Sequence, residues 1–209
     1  MIFNNRRTSL DGFNETVYRL SSVMYEDIGH CEPAPATSLE QARRFINTVN
    51  HLHHREYLPD AATFQRVCLE LGLPDPGLVD DADLRRVRSV REALRALAAT
   101  HNEGPEVDSA EVLAHQARRS GLQISFAEDA APIVVEADGA DGVLGTVLAS
   151  IAESMRDGHW QRMKACRNER CRWVFYDHSR NRTGIWCSMR VCGNRHKVRA
   201  HRARQAAAG

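Results

Sequence analysis

No window of the sequence approaches the roughly 18 consecutive apolar residues of a membrane span. The opening residues, Met1-Ile2-Phe3-Asn4-Asn5-Arg6-Arg7, carry no secretory apolar core. These absences argue against a membrane-spanning or secreted chain and lead to the expectation of a cytoplasmic protein with no membrane partner. In that compartment clustered cysteines bind metal more often than they form disulfides. Nothing resembles a phosphate-cradling glycine loop or a nucleophile elbow, and no recognisable acid, base and nucleophile set is present. An enzyme is therefore not expected. No internal repeat is visible, and low complexity is confined to the Ala-rich tip, Gln205–Gly209.

What is present divides sharply along the chain. The 209 residues have room for one ordinary domain plus a small one, and 43% hydrophobic residues suffice for a core. Residues 160–209 hold 13 Lys/Arg against Glu169 and Asp177, a net +11. Residues 1–159 hold 15 basic and 25 acidic residues, a net −10. Two modules with different partners are one reading of this asymmetry; docking of one half onto the other is the alternative.

The expected fold class is α+β: a mostly helical N-terminal domain with a small β-hairpin, followed by a small four-cysteine zinc finger made of a hairpin and a basic C-terminal helix. The expected divisions are 1–37 (helix and linker), 38–158 (helical α/β domain) and 159–209 (finger). Phe13, Val17, Leu20 and Met24 lie on one helical face, and Cys31 falls in a Pro-containing linker. Ser38 with Gln41 makes a capping box for a helix carrying Leu39, Ala42, Phe45, Ile46 and Val49. Asp60 opens a helix that Gly72 stops. A longer helix from Asp81 carries Leu84, Val87, Val90, Leu94 and Leu97, and its Arg85, Arg86, Arg88, Arg91 and Arg95 read as a solvated surface. Asp108 with Glu111 caps a short helix. Leu122–Phe126 and Pro132–Glu136 read as an antiparallel hairpin, and Val143–Met155 as an amphipathic helix. His51, His53 and His54 read as a solvated helix end and Cys68 as a small core residue.

Cys166-x4-Cys171 and Cys187-x4-Cys192, 15 residues apart, are the strongest signal. Zinc takes four thiolates tetrahedrally at roughly 2.3 Å. Each short loop can bring two sulfurs to one edge of the tetrahedron, and the insert lets the second pair fold back. All four positions are cysteine, which leaves no place for a catalytic water, so one structural Zn²⁺ per chain is expected. A charged segment of this size also needs such a staple, since structural zinc supplies ~10–16 kcal/mol of apparent binding energy. Trp173–Tyr176 and Ile185-Trp186 are expected to pair as a hairpin, and Trp160, Trp173 and Trp186 to form a mini-core beside the metal.

After Cys192 the chain has good helix formers, no proline and no acid. At 100° per residue Arg195, Arg199 and Arg202 fall within about 60° of each other, while Lys197 and Arg204 nearly face away. Cations on several faces suit phosphate contact along nucleic acid. Together with Arg180 on the expected hairpin, these are the candidate nucleic-acid-binding residues.

Asp177-x-Ser179-Arg180-Asn181, Trp186-Cys187-Ser188-Met189 and Cys192-Gly193-Asn194-Arg195-x-Lys197 resemble, in order and spacing, the CGNR zinc finger of bacterial proteins. In that family the finger follows a helical α/β domain called ABATE, and Phe45-Ile46-Asn47-Thr48-Val49 is similar to its early Phe-Val-Asn-Thr segment. Gly184-Ile185 departs from the pattern, which leads one to expect basic residues there. The resemblance implies a stress-induced transcription regulator that binds DNA; the leading expectation adds that the acidic N-terminal domain senses a small-molecule effector or mediates assembly. The competing expectation is an interaction module whose basic finger binds an acidic domain or partner.

Overall fold

The computed structural model describes residues 32–104, 109–124 and 133–207. The expected helix over residues 13–24, Cys31, the Asp108 cap and Phe126 lie outside them. The fold is α+β, with three two-stranded antiparallel pairs set among helices. Among the described residues no helix is long and apolar enough to cross a membrane.

Helix α1, Thr37–Ile46, buries Leu39, Ala42, Phe45 and Ile46. Ser38 does not cap it. The N-cap is Ala36, without a side-chain bond, and Glu40 reaches back to accept from the Ala34 N–H at 2.9 Å. The helix also ends before Val49. That residue belongs to β1, Val49–Asn50, which pairs with β2, Arg55–Glu56. His51, His53 and His54 therefore sit on the turn of a minimal hairpin rather than at a helix end. Strands of two residues are too short for alternation to reveal them.

Helix α2, Ala61–Leu71, follows its local signals. The Asp60 carboxylate accepts from the Thr63 N–H at 2.8 Å, and Gly72 closes the helix at φ 68°, a left-handed value that costs glycine little. Cys68 is buried in the core. Helix α3, Asp81–Thr100, opens on a reciprocal capping box between Asp80 and Asp83. Helix α4, Ala110–Arg119, leads into the hairpin of β3, Leu122–Ile124, and β4, Ile133–Val135, with Leu122 opposite Val135. Leu122 packs on the core, but Ile124 is 72% exposed, so the strand is less buried than its alternation implied. Helix α5, Gly139–Arg156, is the central apolar element and buries Val143, Leu144, Val147, Leu148 and Ile151. It passes so close to β4 that a Cβ on Gly145 would stand 2.6 Å from Val135 Cγ1.

Of the α3 arginines only Arg85 is an exposed surface residue. Arg95 is fully buried and Arg91 nearly so, as is Arg43 on α1. Each is neutralised nearby: Arg43 by Glu40 at 2.6 Å, Arg91 by Glu56 at 2.7 Å and Arg95 by Glu92 at 3.1 Å. Burying guanidinium groups is tolerable only with such pairing and full hydrogen bonding. Burial still pulls Arg95 down to about 10, with Glu92 opposing the shift, so it remains charged at neutral pH.

The apolar core does not stop at the expected boundary between residues 158 and 159. A short 3-10 turn, Trp160–Arg162, leads to β5, Met163–Ala165, which pairs with β6, Val174–Tyr176. Trp160, Met163, Ala165, Val174 and Tyr176 all belong to the same core as α1, α3 and α5. Two expectations change accordingly. The hairpin of the finger pairs β6 with the segment before Cys166, not with Ile185-Trp186. Trp160 packs in the main core, in edge contact with His101, rather than beside the cysteines.

Candidate metal centre and nucleic-acid interface

β5 delivers Cys166 to the site, and its N–H bonds the Trp173 carbonyl at 2.8 Å. The chain then turns tightly, with Cys171 and Arg172 N–H groups both donating to Asn168 O, and Arg172 takes φ 50°. On the other side, Ser188 caps a π-helical turn, Met189–Gly193, by accepting from the Val191 N–H. The flexible end of Met189 folds over Gly193, where an added Cβ would lie 2.8 Å from Met189 Sδ and displace it. Helix α6, Asn194–Ala207, continues directly from this turn and buries no side chain.

The four cysteines are buried, and their sulfurs lie within 4.8 Å of one another. Cys171 and Cys187 Sγ are 3.7 Å apart, and Cys187 and Cys192 3.8 Å. A tetrahedron with zinc–sulfur bonds of ~2.3 Å has edges of about 3.8 Å, so these two edges already stand at coordination spacing. Hydrogen bonds among the thiols pull Cys166 and Cys192 down and push Cys171 up. Asn168 Nδ2 donates toward Cys192 Sγ at 3.6 Å, a bond that steadies a thiolate. Trp173 and Phe175 close the cluster, with Leu52, Trp186 and Val191 against it. This is a four-cysteine site for one structural metal ion.

The N-terminal domain completes the finger's backbone. Asn47 Nδ2 donates to Val174 O at 2.7 Å, and its Oδ1 accepts from the Val174 N–H at 2.9 Å. Asn102 Nδ2 donates to both Ala165 O and Ile185 O, and Arg95 donates to Arg172 O at 2.9 Å. The Phe-x-Asn-Thr segment thus reaches across 127 residues to the edge of β6.

Residues 177–184 form a turn organised on the buried Asp177, which accepts from Lys164 at 2.7 Å, the Ser179 N–H at 3.0 Å and the Gly184 N–H at 2.8 Å. Burial works to raise this carboxyl, but these bonds outweigh it and hold it at about 2. A Cβ on Gly184 would press within 2.7 Å of the same carboxylate, which accounts for glycine where a basic residue was expected. Arg180 is exposed on this turn.

Arg195, Arg199 and Arg202 line a cleft of about 730 Å³ beside α6. Arg170 from the first cysteine loop and Arg190 from the second line it too, while Arg180, Lys197 and Arg204 do not. Among the described residues no carboxylate lines it, although Glu169 lines the adjoining cavity with Arg170, Arg195 and Arg199. Arg170 and Arg190 escaped the sequence reading, although a cation inside each C-x4-C loop was a usable signal.

Residues 162–205 match the CGNR zinc finger model. Residues 41–158, more than half the chain, match the ABATE model, described as "Putative stress-induced transcription regulator". The chain belongs to the ABATE family. No curated protein matches it. The ABATE match ends just before the 3-10 turn and the CGNR match starts at its last residue, so the finger begins where its first strand enters the ABATE core.

Proposed function

We propose that this ABATE protein is a cytoplasmic DNA-binding regulator in which zinc holds the CGNR finger and the finger's cationic face contacts the DNA backbone. One observation carries the reading: five arginines converge on a cleft that no carboxylate lines among the described residues. Uncompensated cations gathered on one surface attract phosphate and release counterions when it binds. Lys197 and Arg204, on the opposite face of α6, are additional contacts for a neighbouring groove, and Arg180 extends the cationic surface on the 177–184 turn. The ABATE domain, in this reading, receives the signal, whether a small molecule or an assembly partner.

The competing interaction-module reading has the basic finger bind an acidic domain or partner, and ion pairing gives its intrachain form little support. Among the described residues one ion pair joins a finger cation to an acid of the ABATE domain, Arg167 to Glu103. The one finger arginine paired across this way among the described residues, Arg167, lies outside the cleft. The test compares zinc-loaded and chelated full-length protein on a short DNA duplex at low salt. Binding by the loaded chain, lost on chelation, is the expected result. A loaded chain that ignores DNA and instead captures acidic polypeptides supports the interaction module.

A further inference from the structure

The cleft has two walls, and only one belongs to the finger. Opposite α6 stands Leu52, on the β1–β2 turn of the ABATE domain. That turn is held firmly. The His53 N–H donates to the buried Asn50 Oδ1 at 3.2 Å, and His54 takes a left-handed φ of 53° to close it. Arg91 grips β2 through both Glu56 oxygens at 2.7 Å, and His51 lies 3.3 Å from Glu92. Leu52 also packs against the cysteine and tryptophan cluster, so the turn and the finger keep a fixed separation.

The chemistry of the cleft is mixed in a telling way. Leu52, Val191 and Val198 supply apolar surface among the arginines. A free inorganic phosphate needs only the cations. A sugar–phosphate strand presents anionic oxygens alternating with the apolar face of the sugar, and both kinds of surface are present here. We infer that one strand of the nucleic-acid backbone runs between α6 and the β1–β2 turn, so that the ABATE domain itself forms part of the DNA-binding surface. This rests on the DNA-binding reading above. It implies that the finger alone is an incomplete binding unit, and that His53 and His54, exposed on the same turn, lie beside the bound strand.

The test uses the full-length, zinc-loaded protein and a short mixed-sequence duplex titrated across a salt series. Leu52→Glu should weaken binding about tenfold or more and flatten the salt slope, because its carboxylate would pair with the cleft arginines. Leu52→Arg should tighten binding and steepen the slope by about one unit, as for one added phosphate contact. The controls are Leu78→Glu and Leu78→Arg, at a fully exposed position ahead of α3, away from the C-terminal half of that helix that meets the finger. Should the Leu52 variants lose zinc, His53→Glu carries the test from an exposed position on the same turn, with about threefold or greater weakening expected. If wild type binds DNA and the Leu52 or His53 changes act no differently from the Leu78 controls, the second wall is not part of the surface. If wild type does not bind DNA, the underlying functional reading fails instead.

Discussion

Helices α3 and α6 are both rich in arginine, yet their arginines do opposite things. On α3, Arg86 pairs with Asp83 and Asp141, Arg88 donates to Leu58 O, and Arg91 and Arg95 are buried against Glu56 and Glu92. On α6 no side chain is buried and no arginine is ion-paired among the described residues. The count of cations does not separate the two helices. What separates them is the supply of acid within reach and an apolar stripe that pulls one helix into the core. Where both exist, arginine becomes structural. Where both are missing, the charge remains available to a partner.

The comparison can be broken most severely at the metal. Cys171→Ser should remove zinc and, with it, binding energy on the order of 10 kcal/mol. Elemental analysis should fall from one zinc per chain to none, and amide exchange should accelerate across 166–207. Helices α1, α3 and α5 should stay protected. Exchange that accelerates equally in α5 would mean that the metal, not the apolar core, sustains the whole chain.

Arg95→Ala should be the costliest change on α3. It removes one of the three cationic partners of Glu92, with Arg91 and His51 remaining, and leaves the Ile46 and Arg172 carbonyls without their donor, so about 2–5 kcal/mol of stability should be lost in denaturant unfolding. A loss below about 1 kcal/mol would show that the buried network is dispensable. Arg199→Ala on α6 should leave stability within about 0.5 kcal/mol of wild type.

A pH titration sharpens the same contrast. Burial works to raise Glu92, but bonds from His51 and the charges of Arg95 and Arg91 hold it at about 2, against an ordinary 4.5. Its folded-state value is depressed, so its contribution is complete above about pH 4.5 and disappears as pH falls toward 2. Wild type should therefore be more stable than Glu92→Gln at neutral pH, with the gap narrowing across that window. A gap that is constant with pH would contradict the assignment.

The smallest effect is expected at Arg85, the one α3 arginine left exposed. Arg85→Ala should change stability by no more than about 0.5 kcal/mol and leave DNA affinity unaltered. Weaker DNA binding by this variant would move the interface onto α3.

These contrasts also explain what could be seen in the sequence. The metal centre was legible because its information is local: two C-x4-C loops, each short enough to define a tetrahedron edge. The Asp60 and Gly72 caps of α2 were legible for the same reason. The buried arginines were not, because the groups that satisfy them lie far along the chain, such as Ile46 O and Arg172 O for Arg95. β5 was missed because Lys164 makes Met163–Ala165 look solvated, whereas its ammonium is buried on Asp177. The acidic residue that tames it is 13 positions away. The cleft was half visible: the helical angle grouped Arg195, Arg199 and Arg202, but only the fold adds Arg170, Arg190 and Leu52.

The central claim is that unpaired arginines gathered by the metal grip phosphate, and the salt dependence of DNA binding by the full-length, zinc-loaded chain tests it most directly. Five phosphate contacts should make log affinity fall against log salt with a slope of about −4 to −5 on duplex DNA. A slope near zero, or no binding even at low salt, would contradict it.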